Sequence, residues 1–166
     1  GSLSKLIAIN GSVGETTVKN YLFSILNNKF NCYANEGNYN NKIGVPLSIS
    51  QIPKNAKFVI QEMGMSFPNE IKYLSNLTKP DISIITNIGG SHLGNFNNLS
   101  EIAIAKSEIF YGMKKDGIVI LPGESKYIDI LKSEAKNHGL KNLFFFGTDS
   151  NHDCFIISKR NRYNII

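Results

Sequence analysis

The chain has 166 residues, 42% of them hydrophobic and 19% charged, with a net charge of +5 at pH 7; that length suits about one domain with a real core. No apolar run approaches the ~20 residues of a membrane-spanning helix, and no secretory signal is visible, which excludes a helical membrane span from this sequence. Its basic residues are scattered apart from Lys159-Arg160-Asn161-Arg162, without the interleaved aromatics of a nucleic-acid platform, so a solvated basic surface is expected, with no nucleic-acid and no membrane partner.

Cys32 and Cys154 lie far apart and form neither a disulfide framework nor a metal-ligand spacing, as expected of a cytoplasmic protein. Gly1-Ser2 reads as a cloning remnant, leaving residues 3–166 as the domain.

Leu6–Ile9 is a short apolar run that suits a buried strand. A turn with Gly11 and Gly14 follows, and Thr16-Thr17 opens a helix that runs through Tyr21, Leu22, Ile25 and Leu26. Strand, glycine turn and helix start form a cradle for phosphate. The glycines admit close backbone approach, and unpaired N–H groups at the helix start face the anion. A hydroxyl there can hold Mg²⁺, and the residue before it is expected to be a lysine that reaches the outer phosphates. Here that residue is Glu15, and Ile9 stands where the full phosphate-loop pattern has its first glycine. A plain tight connection is the competing reading of the turn taken alone.

An extended piece around Phe30–Tyr33 leads to an amide-rich stretch, Glu36 to Pro46, whose glycines and proline read as a loop. Lys57–Gln61 is an apolar strand ending in Glu62-Met63-Gly64, which puts a carboxylate where open α/β sheets bind ligands. Phe67-Pro68-Asn69-Glu70 starts a helix with Ile71, Leu74 and Leu77 at helical spacing. Ile82–Ile88 is a further strand, running through Thr86-Asn87 into Gly89-Gly90-Ser91-His92. Leu99–Met113 reads as a helix with Ser100 as N-cap and Ile102, Ala105, Ile109 and Met113 on the core face, Lys106 lying beside that stripe. Gly117–Leu121 is a strand, Lys126–His138 a helix, Asn142–Phe146 a strand, and the tail Asp153–Ile166 holds two short strands. Alternating strands and helices predict an α/β domain, a mostly parallel, doubly wound sheet with helices on both faces.

Five ordered motifs carry a resemblance that spans about Leu6 to Gly147. They are Ile9-Asn-Gly-Ser-Val-Gly-Glu-Thr-Thr-Val-Lys19, Gly37-Asn-Tyr-Asn-Asn-Lys-Ile-Gly-Val-Pro46, Glu62-Met-Gly64 with Asn69-Glu-Ile71, Thr86-Asn-Ile-Gly-Gly-Ser-His-Leu93 and Ala105-Lys-Ser-Glu-Ile-Phe110. With them the chain resembles the central, ATP-binding domain of Mur ligases, of the MurF type. That resemblance implies a P-loop-like fold and a part in an ATP-dependent amide ligase of peptidoglycan synthesis. Such a ligase adds D-alanyl-D-alanine to a UDP-N-acetylmuramoyl tripeptide through an acyl phosphate. By similarity, Gly11, Ser12, Val13, Gly14, Glu15, Thr16 and Thr17 form the phosphate loop, and Asn87 lies near the nucleotide. Thr16, Glu62 and His92 hold Mg²⁺, with His92 also catalytic. Lys106 matches a catalytic lysine that CO₂ carbamylates, and Asn40 and Asn41 face the UDP-sugar substrate. The parent enzyme is expected to be a cytoplasmic monomer with further domains on either side. The isolated chain, lacking them and lacking the domain's last helices, is expected to ligate nothing.

Departures from the family pattern matter as much. Glu15 replaces its lysine, Asn10 its usual threonine, and Leu93-Gly94-Asn95-Phe96 stands for Leu-Glu-Gly-Phe. A unit charge ~4 Å from another contributes about 4 kcal/mol at an effective dielectric of ~20. Exchanging attraction for repulsion at residue 15 would therefore lower ATP affinity or rate by roughly 10³-fold or more. The competing readings are a degenerate, non-catalytic binding or scaffold domain and a folylpolyglutamate- or cyanophycin-type ligase. A dinucleotide-binding dehydrogenase has the wrong glycine spacing.

Overall fold

The computed structural model describes residues 4–90 and 93–155. Its strands are β1 (Lys5–Asn10), β2 (Cys32–Ala34), β3 (Phe58–Glu62), β4 (Ile82–Ile85), β5 (Ile118–Pro122), β6 (Asn142–Gly147) and β7 (Cys154–Phe155). Its α-helices are α1 (Glu15–Asn27), α2 (Gly44–Ser50), α3 (Glu70–Thr78), α4 (Leu99–Ser107) and α5 (Ile128–Asn137), with 3₁₀ turns at Leu93–Asn95 and Glu108–Gly112. The strands form one sheet in the order β2-β3-β1-β4-β5-β6-β7, and every pairing is parallel.

That order decides where the helices lie. Crossovers between parallel strands are right-handed, so connections running one way along the sheet cover one face and those running the other way cover the opposite face. From β1 the chain moves toward the β2 edge through α1, whereas all later connections move toward β7. Accordingly Val18, Leu22, Phe23 and Leu26 of α1 pack on Ile7, Ile9, Ile60 and Ile84. The opposite face carries the main core, built from Leu6, Ala8, Val59, Ile85, Val119 and Leu121 under the other helices. Alternation along each strand produces this division: in β1, Ile7 and Ile9 face α1 while Leu6 and Ala8 face the main core.

Several local expectations change. Tyr21 and Ile25 are exposed, because the core-facing stripe of α1 runs through the residues next to them. The Glu36–Pro46 stretch gives way to α2, which starts at Gly44 and tolerates Pro46 because a proline in the first turn gives up an N–H that has no helical partner there. The strand at Ile82 stops at Ile85, and the helix at Leu99 passes into a 3₁₀ turn at Glu108. Its N-cap is Asn98, not Ser100: the Asn98 side chain accepts the Glu101 N–H at 3.0 Å. In the tail Cys154–Phe155 is a strand, and the rest of that expectation lies outside the described residues.

Candidate nucleotide-binding site

α1 leaves β1 on one face and α3 leaves β3 on the other, so a crevice opens beyond the carboxyl ends of these two adjacent strands, the position where open α/β sheets bind ligands. Register puts Ile9 of β1 opposite Glu62 of β3. The Gly11–Gly14 turn and the Glu62 carboxylate are therefore neighbours by construction.

Gly11 is needed for packing: a Cβ there would strike the Thr86 side chain. Gly14 is needed for its backbone, with φ 89° in the left-handed region. The loop between them is fastened to the chain leaving β4. Ser12 and Val13 both donate their N–H to Asn87 Oδ1 at 2.9 Å, Thr86 Oγ1 donates to the Val13 carbonyl at 2.8 Å, and the Gly89 N–H donates to Ser12 Oγ at 2.9 Å. Asn87 thus acts through the loop, holding its shape. The start of α1 has no side-chain cap, and Thr16 and Thr17 are exposed there. The helix dipole favours an anion at this end, and Glu15 sets a half-buried carboxylate in the same first turn.

Glu62 is buried and held from three directions. Its Oε2 accepts Thr16 Oγ1 at 2.9 Å and its Oε1 accepts Asn40 Nδ2 at 3.0 Å. Lys19 Nζ forms an ion pair with Oε2 at 3.3 Å, both side chains being almost fully buried. The Glu62 N–H donates to Asn35 Oδ1 at 2.9 Å, and Lys19 Nζ donates to the Asn35 carbonyl at 3.0 Å. Lys19 and Asn35 did not stand out in the sequence, since a lysine one turn into a helix usually points to solvent. The pairing of β3 beside α1 was the signal that would have found them.

Lys106 is 1% exposed, not solvated as a lysine beside an apolar stripe ordinarily is. Its Nζ donates to the Gly11 carbonyl and, at 3.3 Å, to Asn10 Oδ1. Burial pulls its pKa down from 10.5 to about 8, opposed by the negative charge of Glu15. The amine at 106 therefore reaches the glycine loop and the carboxylate at 62 the first turn of α1 that follows it, whereas His92 lies outside the described residues. Asn40 and Asn41 line a cavity of about 470 Å³ with Lys42, Gly64, Phe67 and Glu70. Asn41 Oδ1 also accepts the Ile43 and Gly44 N–H groups at 3.0 and 2.9 Å, which ties the turn before α2 to its first residue. Across the same cavity Lys42 pairs with Glu70 at 3.2 Å; partial burial raises the Glu70 carboxyl, but the Ser66 and Phe67 N–H groups and then Lys42 together hold it below its usual range. Among the described residues no helix is long and apolar enough to cross a membrane.

Thr16 and Glu62 are hard oxygen donors in contact with each other, a set that fits Mg²⁺, which takes one or two protein oxygens and completes its shell with water and phosphate.

The fold is shared with known proteins. A UDP-N-acetylmuramoyl-tripeptide–D-alanyl-D-alanine ligase of Buchnera aphidicola is 45% identical over 122 residues, which is 74% of this chain and 26% of that protein. MurF from Acinetobacter baumannii superposes with a TM-score of 0.85 at 34% identity, covering 91% of this chain and 32% of that one. MurF from Thermotoga maritima, solved in complex with ADP, superposes with a TM-score of 0.78 at 30% identity, covering 89% of this chain and 33% of that one. The chain thus spans about a quarter to a third of the length of these relatives. The family profile described as Mur ligase middle domain matches residues 9–165, and the chain belongs to that family.

Proposed function

We propose that this chain is the nucleotide-binding middle of an ATP-dependent MurF-type ligase, which joins D-alanyl-D-alanine to UDP-N-acetylmuramoyl tripeptide. The observation that carries the reading is the uncapped start of α1 set beside the Thr16–Glu62 hydrogen bond. Oriented N–H groups there suit the nucleotide phosphates. The tripeptide carboxylate attacks the γ-phosphorus, the bond to the bridging oxygen breaks and ADP leaves. The incoming amine then displaces phosphate from the acyl phosphate. Positioning and charge neutralisation are what such a transfer requires of the protein.

In this reading Thr16, Glu62 and His92 hold Mg²⁺, which would neutralise phosphate charge. Asn87 keeps the Gly11–Gly14 loop in its phosphate-ready form, and Asn40 with Asn41 meets the sugar–peptide substrate at the cavity mouth. Lys106 is the amine that CO₂ carbamylates. With its pKa near 8, roughly a quarter of it is free amine at pH 7.5, against about one part in a thousand for an ordinary lysine. The buried Lys19–Glu62 pair and the Lys106 amine on the loop argue against a decayed scaffold, and the matches do not favour the other ligase types.

Glu15 sets the activity level of this domain. Its carboxylate stands in the helix turn where phosphate would bind, so ATP affinity is low. Titration calorimetry with Mg-ATP tests this: Glu15→Lys should bind roughly 10³-fold tighter than the parent. Equal, tight binding by both forms would defeat the claim, and no binding by either would defeat the nucleotide-site reading itself.

A further inference from the structure

The Glu62 carboxylate already has a cation. Lys19 comes from the same helical turn as Thr16, three residues on, and its Nζ lies 3.3 Å from the Oε2 that also accepts Thr16 Oγ1. The ammonium cannot simply swing away. Its stem is buried to 3% exposure and its Nζ is tied to the Asn35 carbonyl at 3.0 Å. Asn35, 2% exposed, in turn grips the Glu62 main chain. Three elements thus fix a positive charge against the carboxylate that, in the reading above, meets the metal.

A dication approaching Glu62 feels both charges. The carboxylate attracts it, and an ammonium at nearly the same distance repels it, so the pair presents almost no net charge to a bare ion. A metal that arrives bound to phosphates brings its own negative charge, and for that complex the ammonium is attractive. We propose that Lys19 is a specificity-determining residue that makes the site refuse free divalent cations and accept the metal only as its nucleotide complex. The sequence gains from this too, since Glu62 is not left as an unpaired buried charge, which is costly. This inference rests on the metal role proposed for Glu62.

Binding of Mn²⁺ alone, followed by electron paramagnetic resonance on the folded chain, tests it. The parent should bind free Mn²⁺ weakly. Lys19→Met, close in shape and uncharged, should bind it at least roughly tenfold tighter, and the double variant Lys19→Met with Glu62→Gln should lose that gain. Circular dichroism reports whether Lys19→Met is folded, and Lys19→Gln, which keeps a hydrogen-bond donor for Asn35, serves if it is not. Free Mn²⁺ bound no tighter by either folded variant would overturn the inference. If Mn-ATP still binds the Glu15→Lys protein in a Glu62-dependent way, the metal role of Glu62 stands and only the part given to Lys19 falls. If Mn²⁺ shows no Glu62 dependence with or without ATP, the site reading falls and takes this inference with it.

Discussion

Two lysines and two glutamates set the electrostatics of the glycine loop, and each departs from ordinary surface behaviour for a physical reason. Lys106 is the clearest. Its ammonium serves two loop acceptors, yet burial favours the neutral amine strongly enough to bring its pKa to about 8. In the unfolded chain the same amine titrates near 10.5. Between pH 8 and 10.5 the unfolded state therefore holds more protons than the folded state, and stability rises with pH across that window. The full gain is about 3 kcal/mol, present above 10.5 and lost as pH falls through 8. Urea unfolding in carbonate-free buffer at pH 7 and pH 10 should show most of it, as a parent-minus-Lys106→Met difference that shifts by about 2.5 kcal/mol. A difference flat in pH would disprove the depressed pKa. Added ¹³C-bicarbonate should give the parent a carbamate resonance that Lys106→Met lacks. Glu15→Lys removes the charge that now holds the proton on Lys106, and should move the window to lower pH.

Elements are decided by their ends and by which stripe is buried, and here the sequence was legible unevenly. β1, the glycine turn and the start of α1 could be read directly, because an apolar run, a left-handed glycine and exposed threonines each have a local cause. Glu62 and Lys106 could be singled out from motif order, Lys106 contacting Gly11 of the loop and Glu62 contacting Thr16 in the turn of α1 beyond it. Lys19 and Asn35 could not, since their role exists only once β2, β3 and α1 are side by side. α2 was hidden by Gly44 and Pro46, residues that break a helix in its middle but suit its first turn. The cap of α4 shows the same limit: Asn98 and Ser100 are both good caps by type, and only the backbone decides, with Asn98 extended at φ −159° and Ser100 already inside the helix. Glu101 completes the arrangement by accepting the Asn97 N–H at 3.0 Å. Because α4 carries Lys106, this cap helps hold the amine at the loop. Asn98→Ala should cost about 1 kcal/mol in urea unfolding, whereas Ser100→Ala should change stability by less than about 0.5 kcal/mol; equal costs would mean the helix starts elsewhere.

At the scale of the whole molecule, one-way winding has a consequence for the sheet. With every connection after β2 running toward β7, α1 is the helix that packs on its face among the described residues, and it sits over β1, β2 and β3. The same face of the later strands carries Ile82, Ile120 and Phe144, by alternation with the main-core residues Ile85, Val119 and Leu143. Phe144 is 46% exposed there, whereas Phe110 in the main core is 1% exposed. Burial energy scales with the apolar area withdrawn from water, so the two phenylalanines should respond very differently to truncation. Phe110→Ala should cost about 3–5 kcal/mol as a core cavity, and Phe144→Thr less than about 1.5 kcal/mol, with threonine well suited to a strand. The expected monomer makes a further demand: the Phe144→Thr cost should not change with protein concentration. Urea unfolding at two concentrations a hundredfold apart, with light scattering on the same samples, reads both quantities. A Phe144 cost that matched Phe110 and grew with concentration would mean that a second copy covers this face in solution, and the monomer would be the wrong state.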